Sequence, residues 1–289
     1  MAIACEFEYF KPKTLKAALR ILDEHGAGAR VLAGGTDLVG MMREDMLKPK
    51  AVVDIKGLRE LGTIRLRRGT IHIGALATYN DIIDSPLIKK RLPLLWEAAG
   101  NVGSFGLRNR ATLVGNICAA VPCCDGGPAL LLYFADVVVR GREGERRVPI
   151  HEWFIGNRRP DLRDDEIALG LEIPAPERHG ACYAKLRRYK GEDLAQASVG
   201  VLAFARKKYR VAFGALHCRP FRSRKVEKAL AAGIAQAKRM VVQEISPITD
   251  LRASKEYRTL MTKVMLERAF DAAVKRLAGR GPAYGESVV

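Results

Sequence analysis

Val31-Leu32-Ala33-Gly34-Gly35-Thr36-Asp37 is the stretch on which the reading of this chain turns. A second stretch, Thr112-Leu113-Val114-Gly115-Asn116-Ile117-Cys118, answers it about eighty residues later, with Pro122 and Asp125 close behind. Each borders an apolar run and offers small residues, a hydroxyl and free backbone N–H groups. A diphosphate needs such a cradle, because only a chain without Cβ bulk lets several N–H groups converge on one anion. A Gly-Gly pair alone is usually a turn. Two such segments in this order are more specific.

Composition bounds the rest. A chain of 289 residues at 48% hydrophobic is globular and long enough for two domains. No apolar stretch approaches the roughly 18 residues that a membrane span needs. The start, Met1-Ala2-Ile3-Ala4-Cys5-Glu6, has neither a basic n-region nor a long apolar h-region, so no signal peptide is expected. The six cysteines, at 5, 118, 123, 124, 182 and 218, follow no disulfide framework. That usage favours a reducing cytoplasm.

The formal net charge is +17, carried in short clusters such as Arg65/Arg67/Arg68, Arg187/Arg188/Lys190 and Arg206/Lys207/Lys208/Arg210. Such a field attracts nucleic acid, an anionic cofactor or an acidic protein partner. Aromatic residues are only 7% and interleave with no basic stretch, so single-strand binding lacks its stacking platform. No zinc-finger spacing or RNA-recognition signature occurs either. Nucleic acid is the weak candidate.

The patterning is mixed α and β. Leu15, Ala18, Leu19 and Leu22 recur at helical spacing behind Thr14, a candidate N-cap. Arg30 to Ala33 predicts a strand feeding the glycine pair, Asp37 to Met46 a helix, and Ala51 to Ile55 another strand. Thr63 to Gly74 predicts a hairpin turning at Arg68-Gly69. Leu94 to Ala99 and Pro128 to Ala135 read as helices, with Val137 to Val139 a buried strand. Ile173-Pro174-Ala175-Pro176 breaks the periodicity and marks a domain boundary. Strands at Ser198 to Phe204 and Tyr209 to Leu216 follow, then helices at Ser223 to Met240 and Ser254 to Leu277. From Gly279 the chain reads as a loose polar tail.

Several chemistries fail on spacing. Gly26-Ala27-Gly28 lacks the third glycine of a Rossmann fingerprint and precedes a strand where the motif must follow one. There is no Walker A Lys-Ser pair and no Gly-x-Ser-x-Gly elbow. The five histidines form no metal-spaced pair. Cys118, Cys123 and Cys124 open with a plant-type cluster gap but then stand adjacent, which favours apolar packing over iron–sulfur ligation. No residue is assigned as catalytic and none as a metal ligand.

At this point the residues carry a resemblance. Ala33-Gly34-Gly35-Thr36-Asp37 is similar to the first flavin loop of the FAD-binding medium subunits of molybdenum hydroxylases, the carbon monoxide dehydrogenase and xanthine dehydrogenase family. Leu107-Arg108-Asn109-Arg110-Ala111-Thr112-Leu113-Val114-Gly115-Asn116 resembles its second loop, and Pro122, Asp125 and Pro128-Ala129-Leu130-Leu131 continue the match. Lys185, Asp193-Leu194-Ala195, Gly214-Ala215 through Pro220, and Asp250-Leu251-Arg252-Ala253-Ser254-Lys255-Glu256-Tyr257-Arg258 resemble blocks of its C-terminal domain. Ala111 and Val114 depart from the family by standing where the second loop has glycine. A Val114 side chain would crowd a pyrophosphate if it came close or needed φ > 0.

The resemblance implies an α+β fold. A two-part FAD-binding domain of the p-cresol methylhydroxylase/vanillyl-alcohol oxidase type would span 1–176, with parts at about 1–57 and 58–176. A C-terminal domain of antiparallel sheet plus helices would span 177–289. It also implies FAD as the cofactor. Leu32, Ala33, Gly34, Gly35, Thr36, Asp37 and Leu38 would hold it from one side, and Thr112, Val114, Gly115, Asn116 and Cys118 from the other. The N–H groups of Gly34 to Asp37 and of Gly115 and Asn116 are expected on the pyrophosphate, helped by the Thr36 and Thr112 hydroxyls. Asp125, Lys185 and Asp193 are expected near the flavin. The partners implied are a large molybdopterin-binding subunit and a small subunit with two [2Fe–2S] clusters, in a heterotrimer or a dimer of heterotrimers. The activity implied is electron transfer from those clusters to NAD, a quinone or oxygen. A free-standing FAD oxidase of the same fold is the alternative, and a basic nucleic-acid-binding protein a remoter one.

Overall fold

The computed structural model describes residues 3–189 and 191–289. Strands β1 (Glu8–Phe10), β2 (Ala29–Leu32) and β3 (Ala51–Asp54) form a small parallel sheet in the order β1-β3-β2. Parallel pairing requires a crossover, and helix Leu15–His25 supplies it. Thr14 caps that helix by accepting the Ala17 N–H, and Ala18, Ile21 and Leu22 are its buried stripe.

Next come β4 (Ile64–Arg67), β5 (Thr70–Gly74), β6 (Asp136–Gly141) and β7 (Gly144–Pro149), then a short hairpin of β8 (Phe154–Gly156) and β9 (Arg159–Pro160), then β10 (Ile167–Pro174). The long ones make an antiparallel sheet in the order β4-β5-β10-β6-β7. The β4–β5 hairpin turns at Arg68 and Gly69, whose φ values of 49° and 79° mark the turn that matches strand twist. Helices Tyr79–Asp84, Pro93–Gly100, Leu113–Ala119 and Gly126–Tyr133 fill the long connection from β5 to β6. The last of these is buried along its whole length.

Beyond Pro174 the chain builds a second antiparallel sheet, β11 (Gly180–Leu186), β12 (Ala197–Phe204), β13 (Lys208–Gly214) and β14 (Phe221–Arg222), in sequence order. Both of its faces are covered. Ala181, Tyr183, Leu202 and Ala212 join the N-terminal core. Cys182, Ala184, Val199, Val201 and Phe213 pack with the C-terminal helices, among them Lys255–Leu277.

Four expectations are corrected. The helix after the glycine pair stops at Arg43, because Asp45 turns to φ 60° and the N–H groups of Met46 and Leu47 both return to Met41 O. The helix expected over Ser223 to Met240 is two, Arg224–Ala232 and Ile234–Glu244, broken where Gly233 takes φ 142° and ψ 154°. β11 lies in a stretch where no strand was expected. The tail is held rather than loose. Arg276 donates to Pro282 O and Ala283 O, the Gly285 N–H bonds Glu97, and Val288 and Val289 pack on the second core.

Candidate functional site

A cavity of about 750 Å³ runs between the first glycine loop, the second glycine loop and the mouth of β11. That volume falls in the range of roughly 300–1,000 Å³ typical of cofactor sites. Leu22, Ala29, Leu47 and Ile55 are among its aliphatic lining residues, and Asp125, Lys185 and Asp193 mark a polar end.

The first loop leaves β2 at Leu32 and enters helix Leu38–Arg43. Gly35 takes φ 77°, a conformation that favours glycine. The Val39 and Met41 N–H groups bond Gly35 O and Asp37 O, both at 2.9 Å. The N–H groups of Gly35, Thr36, Asp37 and Leu38 reach no acceptor among the described residues. Four consecutive open donors on a cavity wall are an anion cradle. Gly34 answers a different need: a Cβ there would sit 2.0 Å from Arg110 O. Its lack of a side chain lets the two loops touch backbone to backbone.

The second loop is built differently. Thr112 is the N-cap of helix Leu113–Ala119, and its Oγ1 accepts the Gly115 N–H at 3.0 Å. The Asn116 N–H bonds Thr112 O, also at 3.0 Å. The donors expected to hold pyrophosphate at Gly115 and Asn116 are therefore spent inside the helix, while the Thr112 hydroxyl accepts there and keeps its own proton to donate. Val114 is helical and 2% exposed, so the strain of a positive φ does not arise there. Asn116 Oδ1 accepts the Tyr79 hydroxyl at 2.8 Å, and the Tyr79 N–H bonds Ala111 O at 3.0 Å. These bonds fix the loop as a rigid wall opposite the cradle.

At the polar end Asp125 is 8% exposed. Its Oδ2 takes the Lys185 ammonium at 2.8 Å and its Oδ1 the Tyr183 hydroxyl at 2.7 Å. Lys185 Nζ also donates to Asn101 O at 2.9 Å. Burial pushes the Asp125 carboxyl up from its usual range, and the Lys185 charge opposes that push. Asp125 and Lys185, both expected near the flavin, thus meet each other on the cavity wall. Asp193 likewise turns to its own loop, accepting the Arg188 N–H at 2.7 Å and the Arg188 guanidinium at 3.0 Å. Burial opposes its ionisation, but those bonds outweigh it and hold the carboxyl below its usual range.

Of the residues predicted for the site, Ala33 to Leu38, Thr112, Val114, Gly115, Asn116, Cys118, Asp125, Lys185 and Asp193 all line the cavity. Leu32 does not; it packs beneath Gly35, where a Cβ would meet its Cδ1 at 2.8 Å. Cys118 and Cys123 are on the wall and Cys124 is buried. Burial pushes the Cys118 thiol up to about 12 and raises those of Cys123 and Cys124, so all three are protonated packing groups at neutral pH. Sequence reasoning missed Tyr79, Val102, Leu107, Arg158, Leu162 and Arg163 on the wall. For Tyr79 a signal existed: Thr78 and Asp81 form a capping box that starts its helix. The 158–163 segment lies on and after a two-residue strand and carried none.

Two family profiles match this chain. One, described as the FAD binding domain in molybdopterin dehydrogenase, covers residues 5–176. The other, the CO dehydrogenase flavoprotein C-terminal domain, covers residues 181–273. The chain is 34% identical over 285 residues to the carbon monoxide dehydrogenase medium chain of Hydrogenophaga pseudoflava, covering 94% of this chain and 98% of that one. It is 29% identical to the putative xanthine dehydrogenase FAD-binding subunit of Escherichia coli (strain K12), over 94% of this chain and 97% of that one. A solved carbon monoxide dehydrogenase from Hydrogenophaga pseudoflava superposes with a TM-score of 0.91 at 32% identity, covering 96% of this chain and 99% of that one. The α+β fold expected from the sequence is the fold found.

Proposed function

The chain belongs to the FAD-binding family of molybdopterin dehydrogenases, and from that premise we propose that it is the electron-transfer subunit of a molybdenum-dependent dehydrogenase complex. It is an oxidoreductase flavoprotein, and FAD is its cofactor. The residues present fit that group: the cavity is large enough, and the row of open N–H groups from Gly35 to Leu38 matches a diphosphate. That row is the observation that carries the reading.

FAD supplies a centre that exchanges electrons one or two at a time. The chain's part is to hold and screen it. The first loop binds the diphosphate, with Gly35 shaping the turn. The second loop, locked by Thr112 and Tyr79, walls the opposite side. The Asp125–Lys185 pair and the loop organised by Asp193 enclose the polar end. The division of labour places residues 1–176 as the FAD-binding domain and 177–289 as the C-terminal domain that closes it. Electrons come from the [2Fe–2S] clusters of a small partner subunit, which draws them from a large molybdopterin subunit. They leave to NAD, a quinone or oxygen. Substrate choice lies in the large subunit.

The charge of +17 favours docking on less basic partners, in a heterotrimer or a pair of heterotrimers. Among the described residues no helix is long and apolar enough to cross a membrane, and the proposed setting is the cytoplasm. Acid precipitation of the purified chain is expected to release FAD into the supernatant. Flavin held in the pellet, or FMN in the supernatant, contradicts the reading. Co-expression with molybdopterin and iron–sulfur subunits should give one peak on size exclusion that absorbs at flavin and cluster wavelengths. A chain that elutes alone at moderate salt and oxidises an organic substrate unaided would be a free-standing oxidase instead.

A further inference from the structure

A buried series of hydrogen bonds runs from helix Pro93–Gly100 through β11 to the cavity wall. Glu97, on helix Pro93–Gly100, is 3% exposed and accepts from the Tyr183 N–H at 2.8 Å, the Arg276 guanidinium at 2.9 Å and the Gly285 N–H at 3.0 Å. Its bond to the β11 backbone fixes where Tyr183 stands. The Tyr183 hydroxyl then donates to Asp125 Oδ1 at 2.7 Å, while Lys185 Nζ holds Oδ2 at 2.8 Å. Asp125 and Lys185 line the cavity, whereas Tyr183 and Glu97 do not. We infer that Tyr183 is a positioning residue, holding the Asp125 carboxylate against Lys185 and so setting how much positive charge the polar end presents to FAD.

Three observations support this. Lys185 and Asp125 have side chains only 2% and 10% exposed, so water screens the pair little. Asp125 depends on two donors, and a hydrogen bond to a charged group is worth about tenfold or more in an equilibrium. Elsewhere the cavity lining includes the aliphatic side chains of Leu22, Ala29, Leu47 and Ile55. Of the two ring systems in FAD only the isoalloxazine changes charge on reduction. A wall of fixed charge acts on a redox equilibrium only by favouring one of its two states, so the ion pair has consequences beside that ring alone. Without the Tyr183 hydroxyl the Asp125 charge is held less firmly. Lys185 is then less neutralised, and the electron-rich reduced ring is favoured.

The inference rests on FAD lying in this cavity, and its test separates the two. Dithionite titration against a reference dye, with dithionite as the electron source, compares the bound-flavin potential in wild type and Tyr183→Phe. The expected change is about tenfold in preference for reduced over oxidised FAD, a positive shift of about 30 mV for a two-electron couple. Asp125→Asn should shift it the same way, and adding Tyr183→Phe to that variant should then add less than about threefold. Tyr133→Phe removes another buried hydroxyl, one bonded to Leu94 N and His179, and should leave the potential where it was. FAD bound at an unmoved potential in Tyr183→Phe overturns the inference, as does full additivity or an equal shift in Tyr133→Phe. If Tyr183→Phe loses its flavin, an unmoved Asp125→Asn potential overturns it. A wild-type chain that holds no FAD removes the proposed function and this inference together.

Discussion

The two glycine loops look alike in sequence and leave their backbones open to different degrees. The N–H groups of Gly35 to Leu38 all lack an acceptor among the described residues, while in the second loop those of Gly115 and Asn116 are spent in a capped helix and those of Thr112 and Val114 stay open. The difference lies in the residue that enters each helix. Thr112 folds its hydroxyl back onto Gly115 N, whereas Asp37 stands at the start of its helix in αR geometry and makes no side-chain cap. An uncapped start leaves all of its first-turn donors to a ligand, whereas a side-chain cap takes up one of them. The two meet where Gly34 packs against Arg110 and Ala111, so the cradle's position depends on the wall behind it.

The largest expected effects break the first loop. Gly35→Val forces a β-branched residue to φ 77° and drives its Cβ to 2.8 Å from Leu32 Cδ1. FAD binding should weaken by more than about a hundredfold, some 2.8 kcal/mol or beyond, read by flavin fluorescence titration. Gly34→Ala should come close to it for another reason, since its Cβ would overlap Arg110 O and push the loops apart. Tight FAD binding by either variant would break the contrast drawn between the loops.

Acid should come next, acting on the braces around the cradle. Arg146 grips Glu166 with bonds of 2.7 and 2.8 Å, Arg188 grips Asp193, and Arg258 bonds Asp250 at 2.7 Å. Burial opposes ionisation of all three carboxyls, yet their partners hold each below its usual range. A carboxyl whose folded value lies below its unfolded one stabilises the fold above the unfolded value. It loses that contribution as pH falls through the folded one. The melting temperature should therefore fall steadily below about pH 4. FAD should leave with it, because Glu166 and Asp193 both line the cavity. Asp193→Asn should cost stability at neutral pH and much less at low pH.

What the sequence disclosed follows from how local each signal was. Thr14, Ser254 and the Arg68-Gly69 turn act within a few residues, and each stands where it was read. The first loop was legible because its donors are left open by local turn geometry. The second loop's helix could not be told from a cradle, since whether Thr112 faces a ligand or Gly115 N depends on a rotamer. β11 escaped because burial on both faces removes the polar alternation that marks a strand, leaving Gly180-Ala181-Cys182-Tyr183-Ala184 without a period. The tail misled because its anchors are charged side chains, Glu97 of a distant helix and Arg276 of the helix just before it, and neither marks the tail's own sequence. The Tyr183–Asp125–Lys185 contact joins residues 58 and 60 apart, which no spacing argument reaches.

A smaller effect sharpens the account of the second loop. Thr112→Val keeps the shape and removes the cap, which should cost about 1 kcal/mol of stability in a denaturant titration. FAD affinity should fall only a few-fold, because the open N–H groups from Gly35 to Leu38 are untouched. A loss as large as that in Gly35→Val would mean that Thr112 reaches the phosphate and that both loops are cradles.

The smallest effect on the cofactor is expected at the adjacent cysteines behind that wall. Cys124 is 1% exposed, and its thiol sits where a Cβ on Gly127 would meet Sγ at 2.8 Å, so it fills space between two helices. Cys123 borders the cavity with a thiol that burial keeps protonated. Among the described residues no group of three His, Cys, Asp or Glu side chains stands where it could hold a metal ion. Replacing both by serine exchanges two soft packing atoms for hydroxyls, and the buried one should cost about 1–3 kcal/mol of stability. Flavin content should hold, since the cradle at Gly35 to Leu38 is untouched and the Thr112 cap remains. Iron measured per flavin in the purified chain should be the same before and after the exchange. Iron that falls with the cysteines would make this segment a ligand loop and take away the packing role assigned to it.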